Sequence, residues 1–157
     1  MIEYKITDQM LITARDMAVD LGRINNSILR GQGNIAGFLG ELIAVEHMGG
    51  EIDHSYNHDI ILDGILIDVK TKQTSVKPLD TYDCSIAKTS VHQKCDAYAF
   101  VRVKNDYSIG WFLGVLTKEE YFDKAIFMKQ GDIDPDNNYK VRADCYNIKI
   151  NQLKEKF

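Results

Sequence analysis

The sequence predicts one mixed α/β (α+β) domain, with a mixed central β-sheet flanked by helices. Three observations carry this reading. Two stretches near the start place apolar residues at steps of three and four. Short strand-like runs bounded by turn residues follow them. No repeat, low-complexity tract or linker interrupts the 157 residues, so 1–157 is read as a single unit.

Taken in order, Thr7 and Asp8 can cap a first helix. Met10, Ala14, Met17, Leu21, Ile24 and Ile28 then share one side, carrying the helix to about Asn25 or Ser27. Residues 30–34, with Gly31 and Gly33, read as a loop. A second helix spans 35–48 and stops at Gly49 and Gly50. Its small residues Gly37, Gly40 and Ala44 let it approach other backbone closely. Strands over 59–62 and 65–70 flank Asp63 and Gly64, a strong two-residue hairpin turn. Further strands are expected over 82–86, 97–104 and 109–116, with Asn105 and Asp106 turning between the last two. Thr117 and Glu120 form a capping-box pattern that opens a helix to about Lys124. Short strands over 125–128 and 146–150 are separated by a polar loop over 131–138.

Composition narrows the class. Hydrophobic residues at 45% and charged residues at 27% exclude wholesale disorder. No apolar run approaches the roughly 20 residues of a membrane span. The first residues show no basic region followed by an apolar stretch, so no secretory signal is expected. Cys84, Cys95 and Cys145 are odd in number and widely spaced, which gives neither a disulfide framework nor paired zinc ligands. Free thiols suit a reducing cytoplasm, and a cytoplasmic location is the expectation.

The net charge of −4 is unevenly spread. Residues 1–69 carry 4 basic and 11 acidic side chains, whereas 70–104 carry 7 basic and 3 acidic ones. The middle third can face a polyanion, or the asymmetry can be an ordinary solvated surface.

The segment from His58 to Lys70 is the most informative. A two-residue turn at Asp63 and Gly64 sets Leu62 against Ile65, Ile61 against Leu66, Ile60 against Ile67 and Asp59 against Asp68. Ile60, Leu62, Ile65, Ile67 and Val69 then form one apolar face. Asp59, Ile61, Leu66, Asp68 and Lys70 form the other. Opposed aspartates stand about 4.5–5.5 Å apart at Cα. At about 4 Å their repulsion is on the order of 4 kcal/mol with an effective dielectric near 20. Solvent with Lys70 as counter-ion is one way to offset this. A divalent cation is the other, and it suits a strand pair covered on both sides.

At these residues the chain resembles the PD-(D/E)XK nuclease superfamily. Asp59 matches the family's first acid, and Asp68, Val69 and Lys70 match its acid-x-lysine triplet. Glu41 sits where the family's helix glutamate lies. Asn57 and His58 precede Asp59, so the proline of the family's name is absent. The matching stretch is 41–70; the runs beginning at Asp96 and Ile109 look like the later core strands of small single-domain, including phage-type, members. The resemblance implies a restriction-endonuclease-like core and Mg²⁺-dependent phosphodiester hydrolysis, with Mn²⁺ able to substitute. Asp59, Asp68 and the Val69 carbonyl would hold the ion, with Glu41 reaching it directly or through water. Lys70 would orient the attacking water or neutralise charge on the phosphate. DNA is the expected substrate, and homodimerisation would let two strands be engaged.

Lys72 and Gln73 continue the strand, and Lys88, His92 and Lys94 add positive or titratable groups, all candidates for phosphate contact. A solvated role for Lys72 is equally open. Thr71 and Tyr82 are further candidates for lining the cleft. His54 and His58 are four apart, but on a loop that spacing carries little weight for zinc. Trp111 and Phe112 adjoin in a strand, so one is expected to face in and the other out. A non-catalytic nucleic-acid- or protein-binding module on the same fold is the alternative reading.

Overall fold

Alternating apolar residues and paired helices assemble into three layers. The computed structural model describes residues 1–24, 35–53, 55, 57–135 and 138–157, with backbone alone for 21–24. The expected end of the first helix, the loop over 30–34 and His54 lie outside the described residues. In chain order the elements are β1 (Ile2–Lys5), α1 (Asp8–Ile24), α2 (Ile35–Met48), β2 (Glu51–Ile52), β3 (Ile60–Leu62) and β4 (Ile65–Thr74). They continue with β5 (Asp83–Ala87), β6 (Ala97–Lys104), β7 (Ile109–Thr117), α3 (Lys118–Lys124), β8 (Ile126–Met128) and β9 (Cys145–Lys149). No described helix is long and apolar enough to cross a membrane.

The main sheet runs β1-β7-β6-β4-β3-β2. It is mixed: β4 and β6 are parallel, and the other neighbours are antiparallel. A second sheet, β5-β9-β8, is antiparallel. The parallel pair demands a crossover between β4 and β6, and this chain places β5 within it.

Both faces of the main sheet are covered. Ala14 and Ala18 of α1 and Leu39, Ile43 and Ala44 of α2 pack with Ile67, Val69, Ala99, Val101 and Phe112 on one face. Tyr98, Phe100, Trp111 and Leu113 pack with Cys84, Ile86, Tyr121 and Ile148 on the other. Consecutive residues of β6 and β7 are therefore both buried. Trp111 and Phe112 do point opposite ways, but each enters a core: the indole Nε1 donates to Glu3 Oε2 at 2.9 Å, and Phe112 stacks on His47. Filling the interior accounts for both rings.

Local signals act as the sequence suggests. The Met10 N–H donates to Thr7 Oγ1 at 3.2 Å at the start of α1. Thr117 and Glu120 exchange the reciprocal bonds of a capping box at the start of α3. Asp63 and Gly64 turn with φ of 49° and 84°, the left-handed pair that a tight hairpin needs. Cys84, Cys95 and Cys145 are all free.

The approach of α2 to β4 depends on Gly40. A Cβ there would fall 1.8 Å from Thr71 Oγ1 and 2.9 Å from Thr71 Cβ. Gly40→Ala is therefore expected to cost about 1–3 kcal/mol in denaturant unfolding, the usual range for an overpacked core. Thr71→Ala in the same chain removes the 1.8 Å oxygen contact but keeps the 2.9 Å Cβ contact, so it should recover only part of that loss. Additive losses in the double variant would show that the helix is not seated through this contact.

Candidate active site

Three acids and a lysine converge where the β3–β4 hairpin meets α2. The hairpin register is as the turn dictates: Leu62 opposes Ile65, Ile61 opposes Leu66 and Ile60 opposes Ile67. The ladder then departs from strict alternation. The Asp59 N–H donates to the Ile67 carbonyl at 2.9 Å, so Asp59 does not stand as the direct ladder partner of Asp68. Its carboxylate instead accepts the Val69 N–H at 2.7 Å. The Asp59 and Asp68 carboxyls are still close enough for the Asp68 charge to push Asp59 up.

Strand alternation assigns the faces of β4. Ile67, Val69 and Thr71 turn toward α2. Asp68, Lys70 and Lys72 turn to the opposite face. Lys70 Nζ lies 2.6 Å from Asp68 Oδ2 and donates to Gln93 Oε1 at 3.2 Å. Glu41 comes from α2, so it reaches the group from the other side of the sheet. The expectation of Asp59, Asp68 and Lys70 on one strand face is thus modified at Asp59, and Glu41 joins across the edge where β3 ends.

The electrostatics show how crowded these acids are. Burial, then the charges of Asp59 and Asp68, pushes the Glu41 carboxyl up to about 8. Burial chiefly, with Asp68 adding repulsion against the relief from the Val69 N–H and Lys70, pushes Asp59 up to about 7. Asp68 and Glu41 are 4% and 8% exposed, so water screens little of this. Among the described residues no three His, Cys, Asp or Glu side chains already stand as a metal-ligand group. The contacts explain why: the Lys70 ammonium sits against Asp68, Asp59 is turned to Val69, and Glu41 lies across the sheet.

The remaining predicted contacts scatter. Lys72 continues the site face and donates to Ser85 Oγ at 2.8 Å. Gln73 falls on the other face of β4 and donates to the Tyr107 hydroxyl at 3.3 Å, so the strand's parity removes it from the site. Lys88 pairs with Asp144 at 3.7 Å and lies over the Phe127 ring, beside the second sheet. His92 and Lys94 are exposed on the segment that borders the acids. The Lys94 N–H reaches Asn57 Oδ1 at 3.2 Å. Thr71 packs against Gly40. His58 is occupied by Asp53 at 2.7 Å and Ser55 at 3.0 Å.

Sequence reasoning missed Gln93, Cys95, Tyr98 and Lys118 as residues that border the cluster. Gln93 touches Lys70, and the Lys118 ammonium donates to the Gln93 carbonyl at 2.6 Å. Burial and the Asp68 charge push the Cys95 thiol up, and burial together with Cys95 and Asp68 does the same for the Tyr98 hydroxyl. Both therefore lie beside Asp68 as neutral groups. No local pattern marks any of them.

Comparison with protein-family models and with curated proteins gives no match to this chain.

Proposed function

We propose that this chain is a metal-dependent nuclease of the PD-(D/E)XK kind that hydrolyses phosphodiester bonds, with DNA as its substrate, in the cytoplasm. The observation that carries this reading is half-buried Asp59 beside buried Asp68, with Lys70 held 2.6 Å from Asp68. The donor set is all oxygen: two aspartates, the Val69 carbonyl and, across the edge, Glu41. Hard cations such as Mg²⁺ or Mn²⁺ prefer such donors. A bound ion would polarise the phosphate and lower the pKa of a water. Asp59 and Asp68 would hold it, and Glu41 would reach it directly or through water. Lys70 would orient the attacking water or offset charge growing on the phosphate. Lys72, His92 and Lys94 are the candidates for backbone phosphates, and a homodimer would suit cleavage of two strands.

One observation favours a second reading, a non-catalytic nucleic-acid- or protein-binding module. Among the described residues the acids are not already gathered as a ligand group. Calorimetric titration with Mg²⁺ or Mn²⁺ separates the two. The direct test is incubation with linear, nicked, branched and single-stranded DNA and with RNA, with each ion and with chelator. Cleavage that appears with Mg²⁺ or Mn²⁺ and disappears with chelator is expected. Absence of cleavage on every substrate, together with no heat of ion binding, would remove the nuclease reading.

A further inference from the structure

Lys70 has two partners of different charge, and they answer different needs. Asp68 Oδ2 holds its ammonium at 2.6 Å, and Gln93 Oε1 accepts from the same ammonium at 3.2 Å. Any cation that takes the Asp68 carboxylate competes with that ammonium for the same oxygens. Without a second partner, Lys70 would either obstruct the cation or leave the site.

Gln93 is fixed well enough to be that partner. Its N–H donates to the Ser90 carbonyl at 3.1 Å, and its own carbonyl takes the Lys118 ammonium at 2.6 Å. The residues beyond it are tied to the same framework. The Lys94 N–H bonds Asn57, two residues before Asp59. The Asp96 N–H donates to the Leu66 carbonyl at 2.7 Å, and Asp96 Oδ2 accepts the Leu66 N–H at 2.9 Å. The Lys118 N–H donates to the Asp96 carbonyl at 2.8 Å. The backbone that carries Gln93 is thereby tied to β4, to the Asp59 loop and to α3.

We propose that Gln93 is a positioning residue that keeps the Lys70 ammonium beside the acids while releasing Asp68 to a divalent cation. The inference rests on the metal-dependent function proposed for the same site. A neutral amide suits the task because it holds an ammonium by a hydrogen bond without adding a fourth carboxylate to an already crowded group. Lys118 supports it at one remove by fixing the Gln93 backbone.

The test uses Ca²⁺ as a calorimetric probe of the whole chain, so that its readout does not depend on turnover. Gln93→Leu keeps the bulk and removes the acceptor, whereas Gln93→Glu keeps an acceptor. Gln93→Leu is expected to bind Ca²⁺ about tenfold more weakly, because the ammonium then rests on Asp68 alone. Gln93→Glu should bind at least as tightly as the parent chain. In a Lys70→Met background no ammonium competes, so Gln93→Leu should have no effect on Ca²⁺ affinity. With a cleaved substrate in hand, Gln93→Leu should lower kcat about tenfold and leave KM unchanged. A parent chain that binds Ca²⁺ while Gln93→Leu binds equally well overturns this inference alone. Equal weakening with and without Lys70 also overturns it, since Gln93 would then act independently of the lysine. A parent chain that takes up none of Ca²⁺, Mg²⁺ and Mn²⁺ overturns both this inference and the function it rests on; one that takes up Mg²⁺ or Mn²⁺ alone carries the same comparisons with that ion, and equal binding by Gln93→Leu again overturns the inference.

Discussion

Asp68→Ala and Lys70→Ala are each expected to lower metal-dependent cleavage by about 10³-fold, while their effects on stability run in opposite directions. On the proposed function the common loss follows from chemistry: one would remove an oxygen donor to the ion, and the other the ammonium proposed to orient the water or offset charge on the phosphate. The opposite stabilities follow from the charges. Asp68 is one of three acids crowded in a buried group, and its charge is among those that push Glu41 and Asp59 upward. Removing it relieves that repulsion, so Asp68→Ala should melt at or above the parent temperature without metal. Removing Lys70 strips Asp68 of the ammonium 2.6 Å away and leaves a buried carboxylate exposed to two others. Breaking such a pair from one side costs about 3–5 kcal/mol. Lys72→Ala is the control for stability, since that lysine bonds Ser85 and not the clustered acids. Steady-state cleavage and thermal melting on the same four proteins check the pattern. Unchanged cleavage in either site variant would defeat the assignment of these residues.

Much of this arrangement is legible because one tight turn writes it. Asp63 and Gly64 can adopt positive φ cheaply, and the two-residue turn then fixes every partner from Leu62 and Ile65 back to Ile60 and Ile67. The same alternation correctly places Asp68, Lys70 and Lys72 together. It fails one step later, at Asp59. There the backbone N–H joins the Ile67 carbonyl already facing Ile60, and a departure of one residue is invisible to a rule with a period of two. Gln73 shows the same logic in reverse: adjacency in sequence to Lys72 places it on the opposite face.

What spans long distances along the chain is least legible. β1 is four residues long, and its alternation is too short to separate from chance until β7 provides an edge for it. The parallel pairing of β4 with β6 depends on a crossover, not on any property of either strand. Glu41 is recognisable as a buried helix residue near the hairpin, but helical spacing does not say from which side of the sheet it arrives. Gln93 lies 23 residues from Lys70 in an irregular segment, so nothing local marks their contact.

Without divalent metal, the protein is expected to lose stability as pH rises from about 5.5 to 8, and metal should restore it. The sign follows from proton counts. Glu41 holds its proton to about 8 against an ordinary 4.5, through burial and then Asp59 and Asp68. Asp59 holds its proton to about 7 against 3.8, chiefly through burial. Between these limits the folded chain binds more protons than the unfolded chain, so unfolding becomes easier as pH increases. Each tenfold difference in proton affinity between the two states is worth about 1.4 kcal/mol, so the group can cost a few kcal/mol at pH 8, or roughly 5–10 °C in melting temperature for a chain of this size. Asp83, raised to about 6 by burial and Asp134, adds to the same trend below that pH but lies outside the cluster. Two comparisons isolate the site. Glu41→Gln should flatten the slope and raise the metal-free melting temperature at pH 8. Mg²⁺ should raise it strongly at pH 8 and little at about 5.5, because at the lower pH the ion must displace protons before it binds. A metal-free melting temperature that climbs over this range would mean that the acids are already compensated, and an ion would then have no unmet charge to answer.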